Sequence, residues 1–410
     1  MTEGHVAPIT SSERIGELDA LRGFALLGVF IANYVFFAFY PFASMEVHRE
    51  AWSEDPANVL ALQATLWLVS DKANTLFGVL FGMGFWVQLS RMKARTSDAN
   101  SLYLRRLTIL LGIGAINLYL LWPWDILFVY AIAGFLLFAL RGLSLRAMAI
   151  AGLVLMLFSR PVVKTTSREL GILGRQEGLV YNPDAQASRF DTIINGSYAD
   201  WVREFAFMTH EGFFLSGVLI SWILYALGRF LIGAWIARQG WLERIAELRP
   251  RIGRIALVVL PLGLALEYVH MAVNNDMMEL PDLANQAVHM VGLVLAALGY
   301  ATALLWLYHS KSLGWLPRLF APTGRMALTN YLAHGILFTL VLAGFGPGLA
   351  LAGSITPIQT LMLAVGVFVA LSVFSHFWLR TYRYGPLEYI WRTLTYGSAP
   401  QFRRQPAIAR

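Results

Sequence analysis

The sequence predicts an all-α polytopic membrane protein of about ten transmembrane helices. Both termini are expected in the cytoplasm, with an amphipathic helix at the inner interface near the C-terminus. Three observations carry this. First, 57% of the 410 residues are hydrophobic and only 14% are charged. A soluble domain carries roughly 25% charged residues, because its surface must stay polar. Second, long apolar runs recur without the alternation of barrel strands. Third, Lys and Arg are distributed very unequally between the segments joining those runs. Disorder, collagen, coiled coil and nucleic-acid binding are excluded as the main class. With no cysteine in the chain, disulfides, thiolate metal sites and cysteine nucleophiles are excluded as well.

Ten runs approach the roughly 20 apolar residues that a spanning helix needs. They are 20–40, 73–90, 105–122, 125–140, 145–160, 212–236, 255–273, 286–308, 325–345 and 357–379. Residues 57–69, also apolar, either lie in the interface or extend the second span. The first span is expected to remain as a helix and not to be cleaved as a signal peptide, since polar residues precede it and no small-residue cleavage site follows. With the N-terminus inside, 23 Lys and Arg fall in inner segments, 8 in outer ones, and Arg229 inside a span. By the positive-inside rule this sets the orientation. The chain reads as one integral membrane domain, 1–410, in a bacterial cytoplasmic (inner) membrane. Its parts are an N-terminal half over 17–160 with a first outer loop at 41–58, a long outer loop at 161–211, a C-terminal region over 212–396, and a tail over 397–410. Its partner is the lipid bilayer, and nucleic acid is not expected. An oligomer is left open.

Ionisable residues inside spans are costly and tend to be functional. Counting 1.5 Å per residue from the inner ends puts Asn33 and Glu267 roughly 18 Å up, His334 at about 12 Å and Arg229 at about 10 Å. His270 and His289 fall at roughly 22–26 Å, near the outer boundary. Glu267 and His270 are three apart, hence on one helix face. A carboxylate beside an imidazole raises its basicity, so the two form a candidate proton-handling pair; a polar tie between helices is the alternative. Arg229 needs either an anionic partner such as Glu267 or an anionic ligand group. His210, Glu211 and Asp125 share the outer level with the other histidines. Metal-ligand spacing is missing there, and no metal is expected. Gly78, Gly82 and Gly84 form a small-residue face suited to close helix packing. Pro386 opens the amphipathic helix, Leu387, Ile390, Trp391 and Leu394 share one face, and Gly397 ends it.

Three stretches resemble the YeiB-like bacterial inner-membrane proteins (domain of unknown function 418). They are Leu18-Asp19-Ala20-Leu21-Arg22-Gly23 running on to Asn33, then Gly324-Arg325-Met326-Ala327-Leu328-Thr329-Asn330-Tyr331-Leu332, and Gly385-Pro386-Leu387-Glu388 through Tyr396. The Leu76–Gly84 and Trp124–Leu127 stretches fit too. That family looks related to the transmembrane acyltransferase superfamily. The resemblance implies transfer of an acyl group from a cytoplasmic donor, with acyl-coenzyme A as a passing co-substrate and no resident cofactor, to an envelope or small-molecule acceptor. In such proteins the first span carries an Arg and, eleven residues later, a catalytic His. Here Arg22 matches and position 33 is Asn. Asn is no base at neutral pH, though it can hydrogen-bond a carbonyl or an oxyanion. In relatives of the lysosomal heparan acetyltransferase group the His lies in the first outer loop, a place His48 could fill.

The catalytic candidates are therefore His48, Glu267 and His270. The substrate- or donor-binding candidates are Arg22, Asn33, Arg229, Asn330 and His334. Two other functions use the same polar residues. One is export or transport of a small or lipidic solute, which intramembrane charges and loosening glycines would serve. The other is a non-catalytic membrane partner, which the Asn at position 33 suits.

Overall fold

The computed structural model describes residues 15–39, 52–122 and 125–404. His48 lies outside the described residues. The described chain is a helical bundle, with one isolated β-bridge between Tyr382 and Arg403 near the C-terminus. Seven helices are long and apolar enough to cross a membrane, or eight if one bent pair counts as a single span. The expected ten runs all meet a helix, but three fall short of an ordinary span for identifiable reasons. Lys72–Lys93 carries glycines and polar residues because it is packed inside the bundle. The helix starting at Ile126 is short. Residues 315–342 form the bent pair, broken by 80° between Arg325 and Ala327.

We number the helices α1 (Gly16–Phe39), α2 (Pro56–Leu68), α3 (Lys72–Lys93), α4 (Ala99–Ile116), α5 (Ile126–Ala139), α6 (Leu145–Glu169), α7 (Ile172–Val180), α8 (Pro183–Asn195) and α9 (Tyr198–Met208). They continue with α10 (Val218–Arg238), α11 (Ile245–Asn274), α12 (Asp282–Tyr308), α13 (Trp315–Arg318), α14 (Ala321–Arg325), α15 (Ala327–Leu342), α16 (Pro357–Thr381) and α17 (Pro386–Tyr396). Arg22, Arg91, Arg106, Arg325 and Arg392 gather at one end, called the basic end below; the other is the far end.

Small residues set the helix crossings, as expected where apolar attraction between helices is weak and close packing must replace it. A Cβ on Gly82 would lie 2.2 Å from the Phe230 carbonyl oxygen, and one on Gly233 would lie 2.0 Å from that of Val79. The glycine face of α3 thus meets a glycine on α10. The α11–α12 hairpin uses the same device, with Gly263 against Ala296 and Gly299 against Leu260.

The apolar residues before the second span neither lie flat nor extend it continuously. They form α2, a separate helix that runs into the bundle. At its far-end start, Asn58 Oδ1 accepts from the Ile358 amide. At its other end, Tyr300 Oη donates to the Leu68 carbonyl (2.9 Å) and Lys72 Nζ to that of Leu66 (3.0 Å). A turn at 69–71, with Asp71 in the left-handed region (φ 61°), then starts α3. Ala73 meets Gly28 midway along α1, so α3 starts inside the bundle. Lys72, expected in an outer connection, is 2% exposed.

Nor is the long outer loop an open connector. α6 continues through Pro161 to Glu169, and α7, α8 and α9 follow. Arg189 is fully buried between Glu204 Oε1 (2.7 Å) and the Val180 carbonyl (3.0 Å). The Gly344 amide donates to the Ile193 carbonyl, and Tyr198 Oη to that of Leu120. These contacts fasten the segment as a helical cap on the far end.

Gly82→Ala and Gly233→Ala are expected to destabilise by about 1–3 kcal/mol each, the usual cost of overpacking. The check is a lowered thermal midpoint in detergent. Gly112→Ala, where nothing lies within 4 Å, should leave the midpoint unchanged or raise it.

Candidate functional site

The three stretches singled out in the sequence lie far apart along the chain and converge at the basic end. α1 crosses α14 at Gly23 and Gly324. A Cβ on Gly23 would sit 1.9 Å from the Phe320 carbonyl oxygen, and one on Gly324 would sit 1.9 Å from that of Asp19. The third stretch joins through Glu388. Its Oε1 accepts from the Leu328 amide (2.7 Å) and the Thr329 amide (3.1 Å), and its Oε2 accepts from Thr329 Oγ1 (2.6 Å). A carboxylate here satisfies the unpaired first-turn N–H groups of α15 and faces the positive end of its dipole. Burial pushes the Glu388 carboxyl above the usual carboxylate range, against the pull of these hydrogen bonds.

Between these stretches lies a cavity of about 270 Å³. Five arginines line it, Arg22, Arg91, Arg106, Arg325 and Arg392, against two carboxylates, Asp19 and Glu388. Both carboxylates are engaged: Asp19 bonds Arg22 at 3.1 Å, and Glu388 caps α15. The lining therefore carries a surplus of positive charge. Arg22 lies along α3 where Gly84 leaves room, its Nη2 2.9 Å from a Cβ placed there. Arg106 stacks on Trp391 with 3.4 Å from its guanidinium carbon to the ring centroid, and Trp391 Nε1 donates to the Arg106 carbonyl. Arg106 Nη1 is buried with no hydrogen-bond partner among the described residues. Such a donor is expensive unless something else takes it. The rest of the wall is largely apolar and aromatic, including Phe77, Phe81, Phe85, Tyr130 and Tyr331.

Two hydroxyls in that wall lead to buried polar groups. Tyr331 Oη donates to Asp125 Oδ1 (3.0 Å), which also accepts from Asn117 Nδ2 (2.8 Å). Asp125 is fully buried and caps α5 through the Phe128 amide. Tyr130 Oη donates to Asn74 Oδ1 (3.0 Å).

Next to Tyr331 lies His334, which is 1% exposed and stacked on Phe30 with ring centroids 4.3 Å apart. Its Nδ1 faces the Tyr331 carbonyl. A carbonyl only accepts, so Nδ1 carries the proton and Nε2 the lone pair. Asn33 Nδ2 sits 3.0 Å from Nε2 and supplies the matching donor. Asn33 thus meets an imidazole from another helix.

The remaining predicted residues fall elsewhere. Arg229 is 2% exposed and donates to the carbonyls of Tyr225 (3.3 Å) and Asn74 (2.9 Å), beneath the Tyr225 ring. Glu267 is not its partner: Glu267 pairs with Lys72 and with His289 Nδ1 (3.0 Å). Nor is Glu267 bonded to His270, the residue on its own face. His270 stacks on His289 (4.1 Å) and bonds Asn285 Oδ1 (2.8 Å). Asn330 is fully buried, tying Thr323 to Ser375. Of the predicted set among the described residues, only Arg22 lines the cavity. Arg91, Arg106, Arg325, Arg392, Tyr331 and Glu388 also line it and are not among the candidates read from the sequence. For the arginines the signal was present as charge at span ends, but it served only to set topology.

Residues 236–398 match the family described as "Protein of unknown function (DUF418)". That region supplies Arg325, Tyr331, Glu388 and Arg392 to the cavity, while Arg22 and Arg106 come from before it. The likeness to whole proteins extends further. "Uncharacterized protein YxaH" of Bacillus subtilis (strain 168) is 29% identical over 404 residues, covering 95% of this chain and 96% of its own. "Uncharacterized protein YeiB" of Escherichia coli (strain K12) is 28% identical over 404 residues, covering 94% and 97%. The "Uncharacterized 39.9 kDa protein in amylase 3'region" of Bacillus acidopullulyticus is 28% identical over 399 residues, covering 95% and 96%. No solved structure matches the chain.

Glu388→Ala leaves the first-turn amides of α15 uncapped, at about 1–2 kcal/mol. α17 should then dock less firmly. Limited trypsin digestion in detergent is expected to cut after Arg392 faster than in the wild type, and Glu388→Asp should fall between the two.

Proposed function

We propose that this multi-pass membrane protein transfers an acyl group from a cytoplasmic, phosphate-bearing donor, of the acyl-coenzyme A class, to an envelope or small-molecule acceptor. One observation carries the reading: an arginine-rich cavity at the basic end whose other walls are largely aromatic and include Tyr331, which bonds Asp125 behind it. The positive-inside rule turns the basic end to the cytoplasm, in a bacterial inner membrane. Guanidinium groups match phosphate oxygens in geometry and charge. A volume of about 270 Å³ takes a slender chain rather than a whole nucleotide. The phosphates would therefore stay among Arg22, Arg106, Arg325 and Arg392 while the thioester end reaches inward. An acceptor hydroxyl or amine attacks the acyl carbonyl, the carbon–sulfur bond breaks, and the thiol leaves with a proton. Asp125, through Tyr331, is positioned to take the acceptor's proton, and His334 with Asn33 lies beside it.

Transport is the second reading, favoured by the break between α2 and α3 inside the bundle, since discontinuous helices form ion and solute sites in transporters. Solute flux in proteoliposomes without covalent turnover would select it.

Purified protein is expected to bind acyl-coenzyme A and, given an acceptor, to release free thiol. Removing one charge-assisted hydrogen bond costs about 1.5–3 kcal/mol, so Arg106→Ala and Arg392→Ala should each weaken binding about tenfold or more. Calorimetry that detects no acyl-coenzyme A binding at all would remove the main support for acyl transfer.

A further inference from the structure

The break between α2 and α3 meets a cluster of ionisable groups that the acyl-transfer reading does not use. It joins four elements on the far-end side of the break. Lys72, the first residue of α3, is 2% exposed and paired with Glu267 of α11, also 2% exposed. Glu267 Oε1 lies 3.0 Å from His289 Nδ1, on α12. His289 Nε2 lies 4.0 Å from Asp71 Oδ2, and Asp71 is held at 3.0 Å by Arg160 of α6. With His289 neutral, the two carboxylates balance Lys72 and Arg160.

The imidazole's two nitrogens face different situations. Glu267 accepts, so Nδ1 carries a proton, and in the neutral ring Nε2 then holds the lone pair. That lone pair points toward a second carboxylate at a distance too long for a hydrogen bond. A proton added at Nε2 would make a donor and draw Asp71 in. Asp71 is the last residue of the turn at 69–71, held in the left-handed region, so its movement is movement of the break. A route to solvent is at hand. His289 is 18% exposed and stacks on His270, which bonds Asn285 and the exposed Asn274 at the far end of the α11–α12 hairpin.

We infer that the α2–α3 break carries a proton-binding site reached from the far end, at His289 Nε2 between Glu267 and Asp71. The bound proton moves the break by drawing Asp71 away from Arg160. The groups facing His289 are Glu267 and His270 from α11, Asp71 and Lys72 from the break, and Arg160 from α6 behind Asp71. α1 and α13 approach α12 at Tyr300 and Tyr308, toward its other end. The proton comes from water and returns to it, so no other reactant is needed. This site does not depend on acyl transfer and holds whichever function the basic cavity serves.

Because the chain has no cysteine, Ser70→Cys provides a single thiol at the break in the full-length protein. A nitroxide spin label there, read in detergent between pH 8 and pH 5, is expected to shift between two mobility components. The transition should vanish in Ser70→Cys with His289→Gln. With Asp71→Asn, which removes the carboxylate that the new donor draws in, the spectra should stay in one component at both ends of that pH range even with His289 in place. Spectra that do not change with pH, or a transition that survives His289→Gln or Asp71→Asn, would each overturn the inference. The Asp71→Asn comparison keeps it testable if His289→Gln does not fold.

Discussion

The basic half of the molecule depends on one backbone crossing, that of α1 over α14 at Gly23 and Gly324. Each glycine lies so close to the other strand's carbonyl that any side chain would occupy its place. The contact brings Asp19 and Arg22 against Arg325, and it sets where α15 begins. Once α15 begins there, its first-turn amides face Glu388, which draws α17 across the cavity mouth. Trp391 then reaches the α4 backbone and stacks Arg106. Three segments widely separated in sequence become one site because two of them lack a side chain and the third supplies a carboxylate.

The same economy of polar groups governs the middle of the bundle. In a bilayer every buried donor and acceptor must be satisfied internally. Arg229 spends its donors on the backbone carbonyls of Tyr225 and Asn74 and stacks beneath an aromatic ring. Where α2 stops, its last carbonyls are taken by Lys72 and Tyr300. The charge that Lys72 brings inside is matched by Glu267. The break at the end of α2 therefore meets side-chain donors from α3 and α12.

Much of this was legible in the sequence. Apolar runs located the helices, because a span is a one-dimensional signal. The Gly78–Gly84 face announced close packing, and the glycines indeed accept α10 and two arginine side chains. Pro386 and Gly397 bounded the amphipathic helix at its observed ends. What stayed hidden was rotation and pairing between helices. Glu267 has a histidine three residues on, yet its partners come from neighbouring helices, because a hydrogen bond needs a facing atom and not just a shared face. Lys72 looked like loop charge since it precedes the apolar run, while its helix starts inside the bundle. Position 33 looked depleted without a histidine, although His334 meets it from α15. The cavity arginines were visible only as charges at span ends, where topology alone explains them.

The arginine cavity at the basic end is proposed as a ligand site for a phosphate-bearing acyl donor. A cryo-electron microscopy map of the purified protein saturated with a non-hydrolysable acyl-coenzyme A analogue tests it most directly. Density is expected among Arg22, Arg106, Arg325 and Arg392, extending inward to Tyr331. A well-resolved map with that cavity empty, or with the analogue bound elsewhere, would contradict the claim.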